Sequence, residues 1–156
     1  MSYLNSKNML NIVYTQNIDS LELKTGLGKE KVIYAHGNIH TAHCALCRKE
    51  CELSKVKEYV EKGEVLYCEC KGPCKMQVVL YGEGLPKEVF DNLSVLADSD
   101  MCFIMGTSLK VQPFSMFAYN LNDNCYRILV NREKVGHEGP SGFRWNDLTS
   151  NDVFVE

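Results

Sequence analysis

Six of the chain's eight cysteines fall between Cys44 and Cys74. They begin as a Cys44/Cys47 pair with two residues between, and resume after twenty residues at Cys68. Two intervening residues let both thiolates reach one ion from a tight knuckle, and a second pair about twenty residues on completes a tetrahedral four-sulfur site for zinc. Cys68 belongs to that second pair, and Cys70 and Cys74 both lie near enough to be its mate. His43, beside Cys44, is a substitute ligand of lower rank, and Cys51 reads as a spare thiol. Just upstream stands His36-Gly37. An imidazole titrating near neutrality suits a general base, and glycine lets backbone approach a ligand closely.

Further polar clusters follow apolar runs: Thr15-Gln16-Asn17-Ile18-Asp19, Gly106-Thr107-Ser108 and Asn131-Arg132-Glu133. Each alone is ordinary turn chemistry, since Asn, Asp, Gly and Ser dominate turns and caps. Together, at the carboxyl ends of strands, they mark the crevice where open parallel sheets bind ligands. His40, His43 and His137 lack that setting.

The elements that must position these groups are short apolar runs alternating with helical patterns, which argues a mostly parallel α/β sheet. The expected strands are Asn11 to Tyr14, Val32 to Ala35, Gln77 to Tyr81, Met101 to Met105 and Arg127 to Val130. Pro86 opens a helix carrying Val89, Phe90, Leu93 and Leu96 on one face, because proline at the first turn loses no hydrogen bond. A second helix after Pro113 shows Phe114, Phe117, Ala118 and Leu121 at the spacing that buries one stripe. The cysteine region interrupts this rhythm as an insert with one short helix, Val56, Tyr59 and Val60 on its face, ending near Gly63. A module that small needs a staple, and a metal supplies one. Cys102 and Cys125 read as small core residues.

At 156 residues, 45% hydrophobic and 24% charged, the chain has the composition of a globular protein. A net charge of −3 gives no footprint for direct nucleic-acid binding, and no apolar run reaches the length of a membrane helix. Clustered cysteines without a secretory signal favour metal over disulfides and a cytoplasmic or nuclear location.

Taken in order, Tyr14-Thr-Gln-Asn-Ile-Asp-Ser-Leu-Glu22, His36-Gly-Asn38, the Cys44/Cys47 knuckle, Val78-Val-Leu-Tyr-Gly-Glu-Gly-Leu-Pro86, Gly106-Thr-Ser-Leu-Lys-Val-Gln-Pro113 and Val130-Asn-Arg-Glu133 resemble the motifs of the sirtuins, NAD-dependent protein lysine deacylases. The resemblance implies an α/β fold: an incomplete Rossmann-like parallel sheet over 1–39 and 76–156, with a small zinc-ribbon insert over 40–75. It implies that His36 and Asn17 are catalytic, His36 as the base. Gln16, Asn17 and Asp19 would line the nicotinamide-ribose pocket. Gly106, Thr107 and Ser108 would hold the ribose and phosphates of NAD, with Asn131 and Arg132 near the adenosine. Val79, Tyr81, Gly82 and Glu83 would pair with an acylated-lysine peptide as an added strand, and a histone- or tubulin-like substrate fits the branch it looks closest to. Alignment back from Val78-Val79 implies Cys44, Cys47, Cys68 and Cys70 as structural zinc ligands.

The chain departs from the family in two places. The glycine-rich turn that cradles the dinucleotide, the cofactor loop after it and the last adenine-covering turn have no counterpart in its sequence, so a core truncated at both ends and weak NAD binding are expected. The alternative function is a catalytically impaired fragment that binds a peptide or protein. Cys68 and Cys70 are also separated by one residue where the family usually has two.

Overall fold

The run ending at Tyr14 forms β1 (Val13–Thr15), paired in parallel with β2 (Val32–Tyr34). These elements come from a computed structural model that describes residues 1–118, 121–135 and 152–155; His137 and part of the segment after Pro113 lie outside them. The chain divides into two units, Met1–Val89 and Phe90–Glu156.

The first unit begins with helix α1 (Ser2–Ser6) and holds two small sheets. Beyond β2, the backbone turns through Ala35-His36 into β3 (Gly37–Cys44), which pairs antiparallel with β4 (Cys74–Val78). The expected strand at Gln77 to Tyr81 therefore ends earlier, at Val78, and runs against its neighbour. Between these strands lies α2 (Leu53–Glu61), and Gly63, at φ +71°, ends its last turn in the left-handed region that favours glycine. Val56 is 1% exposed and packs with Ala42 and Cys74, flanked by Leu53, Leu66 and Met76. Val60, expected on the same face, is exposed. This small core leaves the module dependent on cross-links.

The helix expected from Pro86 is interrupted: α3 (Lys87–Asp91) and α4 (Leu93–Ala97) are separated at Asn92. Asparagine competes for backbone hydrogen bonds and favours helix ends over interiors. Val89 and Leu96 are buried, whereas Phe90 is exposed.

The second unit carries a parallel sheet of β5 (Met101–Met105), β6 (Tyr126–Val130) and β7 (Asp152–Val155), in that order. Its packed face joins Ile104, Leu129, Leu109 and Ala118, with Cys102 and Phe154 against them. The segment after Pro113 is a 3-10 turn, Phe114–Ala118, rather than an α-helix over its described residues, and it buries Phe117 and Ala118 as expected. The alternate residues Met101, Phe103, Met105, Tyr126 and Val130 are exposed on the other face.

Candidate functional site

Two backbone knuckles bring four sulfurs together. In the first, the Cys44 N–H donates to the Lys49 carbonyl at 2.8 Å and the Arg48 N–H returns to the Cys44 carbonyl at 3.1 Å, with Arg48 in the left-handed region at φ 61°. In the second, the Cys68 N–H donates to Gly72 at 2.9 Å and the Lys71 N–H to Cys68 at 2.8 Å, with Lys71 at φ 66°. Cys44, Cys47, Cys68 and Cys70 place their Sγ atoms within 4.8 Å of one another. Two of the separations, Cys44 to Cys70 and Cys47 to Cys68, are 3.4 and 3.7 Å. A tetrahedral zinc with bonds of 2.3 Å requires sulfur separations of about 3.8 Å, so the cluster fits a structural zinc.

Electrostatics agree with that fit. Backbone N–H groups of Cys47 and Leu46 and the neighbouring thiols hold Cys44 down to about 6 against the opposing effect of burial. Cys47 receives a Lys49 N–H that favours its thiolate, yet the sulfurs of Cys70 and Cys44 push it up to about 12. Sulfurs this close do not all ionise by themselves; a dication makes all four thiolates.

Sequence reasoning missed Gly72. A Cβ there would lie 2.6 Å from Cys44 Sγ and 2.8 Å from Leu46 Cβ, so only glycine leaves room for the ligand sulfur. The signal was present as a glycine just past Cys70. Cys74 is not among the converging sulfurs; it is joined to Cys51 in a disulfide, so Cys51 is not the spare thiol expected. His43 is likewise turned away: its Nε2 accepts an N–H from Arg48 at 2.8 Å, and burial, then Arg48, lowers its pKa.

At the other end of β3, the loop after β1 is stitched to residues 35–40 through its carbonyls. Thr15 accepts from the Ala35 N–H at 2.9 Å and Ile18 from the Ile39 N–H at 3.0 Å. The Gln16 carbonyl lies 3.2 Å from His36 Nδ1, and the Asp19 carbonyl 2.9 Å from His40 Nε2. A carbonyl only accepts, so Nδ1 is a protonated nitrogen of His36 in this bond. His36 is half-buried, and Asn17 and Asp19 are exposed. Asp19 also caps the next turn, its Oδ1 accepting the Leu21 N–H at 3.1 Å. Gly37, at φ +73°, serves a close approach to protein rather than to a ligand: a Cβ would sit 1.7 Å from the Gln77 carbonyl oxygen.

The Val79 N–H donates to the His36 carbonyl at 2.9 Å and continues the β3–β4 ladder. Tyr81 and Gly82 then form an exposed turn, with Gly82 at φ +92°. Glu83 closes it, accepting the Leu80 N–H at 2.8 Å and pairing with Lys75 at 2.6 Å. The backbone bond from Leu80 and the Lys75 ammonium hold its carboxyl below the ordinary value.

In the second unit, the carboxyl ends of β5 and β6 frame an open pocket of about 860 Å³. Gly106, Thr107, Ser108, Asn131, Arg132 and Glu133 line it, so the two polar clusters share one cavity. Its volume lies within the range of small-molecule sites. Gly106 stands at φ +59° with open space before it, Leu109 N–H is tied to Thr107 Oγ1 at 3.2 Å, and Asn131 Nδ2 donates to the Glu133 carbonyl at 2.9 Å. Backbone, hydroxyl and guanidinium donors here suit a sugar and phosphate.

A model of the Sir2 family matches residues 1–113. The chain is 40% identical over 137 residues to the NAD-dependent protein deacetylase sirtuin-2 of Danio rerio, covering 85% of this chain and 36% of that protein. It is 39% identical over 144 residues to the NAD-dependent protein deacetylase hst2-2 of Emericella nidulans, covering 89% and 40%. The chain thus spans about two fifths of the length of the curated relatives it matches. Among solved structures it resembles in fold a sirtuin studied for substrate affinity, with TM-score 0.79, 24% identity and coverage of 97% of this chain and 62% of that one. It also resembles Sir2 with a p53 peptide and NAD+, with TM-score 0.77, 24% identity and coverage of 97% and 60%.

Proposed function

Because this chain belongs to the Sir2 family, we propose that it carries an NAD-dependent protein lysine deacylase site, with His36 as its base and zinc held by Cys44, Cys47, Cys68 and Cys70. The observation that carries the reading is the contact of His36 Nδ1 with the Gln16 carbonyl. It places a proton on Nδ1, which assigns Nε2 as the nitrogen to take part in proton transfer.

NAD, when bound, supplies a glycosidic bond that is cleaved with loss of nicotinamide and a ribose that takes up the acyl group. His36 takes a proton from a ribose hydroxyl at Nε2. Asn17 orients the reacting sugar with Gln16 and Asp19, because a hydroxyl-rich ligand is positioned by amide and carboxylate partners. The pocket lined by Gly106, Thr107, Ser108, Asn131 and Arg132 would hold the ribose, phosphate and adenosine groups through its donors. An acyl-lysine segment of a histone- or tubulin-like protein docks against Val79 and the exposed turn of Tyr81, Gly82 and Glu83.

In this reading residues 40–75 are the zinc-binding module, residues 1–39 and 76–156 form the partial Rossmann-like domain, and the protein works in cytoplasm or nucleus. Among the described residues no helix is long and apolar enough to cross a membrane.

The test joins the chain to a sirtuin-type glycine-rich N-terminal segment and supplies an acetyl-lysine peptide with NAD. Mass spectrometry should find deacetylated peptide and nicotinamide in equal amounts, both lost in His36→Ala at unchanged melting temperature and zinc content. Absence of turnover in the joined protein would overturn the activity. Turnover that survives His36→Ala would overturn the base.

A further inference from the structure

We propose that Cys51 and Cys74 are a thiol–disulfide modification site whose oxidation state sets how tightly the neighbouring four-cysteine cluster holds zinc. The two sulfurs are bonded to each other, with Cα atoms 6.3 Å apart, and neither belongs to the converging set of four.

Topology couples the two sites. Cys47 and Cys68 meet across 21 residues of sequence, and Cys51 and Cys74 across 23. Both cross-links therefore close almost the same excursion of chain, the one containing α2. Closing a loop costs conformational entropy once, so whichever link forms first lowers the cost of the other. The backbone reinforces this. Cys74 is the direct cross-strand partner of Cys44. Its N–H donates to the Leu66 carbonyl at 2.7 Å, two residues before Cys68, and the Cys51 N–H donates to Ala42 at 2.9 Å, two residues before Cys44. Oxidation fixes the segments that carry the knuckles; reduction leaves the metal to hold them alone.

Access gives the exchange a direction. Cys74 is 9% exposed within the module's core, while Cys51 is half-buried. An external thiolate such as glutathione attacks Cys51 Sγ, breaks the bond to Cys74 and expels its thiolate, which takes a proton from water. A second glutathione thiolate then displaces Cys51 from the mixed disulfide, and Cys51 is protonated in turn. In sum, one protein disulfide is reduced to two thiols while two glutathiones become one glutathione disulfide. Glutathione disulfide drives the reverse reaction.

The experiment uses the full chain loaded with zinc, poised in reduced or oxidised glutathione, and titrated with a competing chelator. Alkylation and mass spectrometry identify the protected cysteines. Cys51 and Cys74 should be protected together at the oxidised poise. Zinc affinity there should be higher by up to about 300-fold, the factor that closing a loop of this length represents. Cys51→Ser should show the reduced protein's affinity at both poises. Equal affinity at the two poises, with the Cys51–Cys74 bond verified, would overturn the proposal, as would protection of a cluster cysteine in place of this pair. The wild-type comparison decides the matter even where Cys51→Ser fails to fold, and it reads zinc and thiols independently of any deacylation.

Discussion

Gly72→Ala is the sharpest perturbation of the metal cluster, because it changes one methyl group and no ligand. The new Cβ would lie 2.6 Å from Cys44 Sγ, where ordinary contact begins at 3.4 Å. The sulfur or the knuckle must retreat by roughly 0.8 Å, whereas a metal site holds its ligand distances to within about 0.2 Å. Leu46, at 2.8 Å from the same methyl, blocks a sideways shift. Overpacking of this kind costs about 1–3 kcal/mol, and every 1.4 kcal/mol is about tenfold in affinity. Zinc should therefore bind about ten- to a hundredfold more weakly in chelator competition. Gly63→Ala is the control: its φ of +71° makes alanine strained, but nothing lies within 4 Å of the added carbon. It should lower melting temperature and leave zinc affinity unchanged. Wild-type zinc affinity in Gly72→Ala, or an equal loss in Gly63→Ala, would refute the packing argument.

Gly37→Ala should destabilise the first unit by about 3 kcal/mol or more, since it combines left-handed strain with a backbone clash at 1.7 Å; a thermal melt within a degree or two of wild type would contradict this. Cys70→Ser should release zinc and Cys74→Ser should retain it, as metal analysis of the purified variants will read; the opposite result would make Cys74 the fourth ligand. Glu83 has a folded pKa below its ordinary 4.5, through the Leu80 N–H first and Lys75 next. Its stabilisation is thus complete above that value and lost as pH falls through the depressed one. Glu83→Gln should flatten the acid limb of melting temperature against pH, and an unaltered limb would remove the carboxylate from the turn's stability.

Much of this arrangement is legible in residue order because it depends on local spacing. The Cys44/Cys47 knuckle and the polar ends of Met101–Met105 and Tyr126–Val130 are fixed by the few residues that form them. Other features depend on partners distant in sequence. The run Met101-Cys-Phe-Ile-Met105 is apolar at every position, and nothing within it says that Cys102 and Ile104 turn to the packed face. The antiparallel course of β4 is set by its register on β3. Six cysteines allow 15 pairings, so the Cys51–Cys74 bond could not be read from their order. The group that orients His36 is the backbone carbonyl of Gln16, which leaves no mark in the residue type.

One irregularity in β3 reaches further than its size suggests. Between the Gly37–Val78 and Ala42–Met76 pairs, β3 advances five residues while β4 advances two. Asn38 gathers the excess, its Oδ1 accepting from the His40 and Thr41 N–H groups at 2.9 and 3.0 Å. The segment works as an expansion joint. His36 lies just before it, anchored to the loop after β1, and Cys44 lies beyond it, anchored to the metal knuckles. A residue gained or lost on the knuckle side is absorbed at the joint and does not reverse the face on which His36 stands.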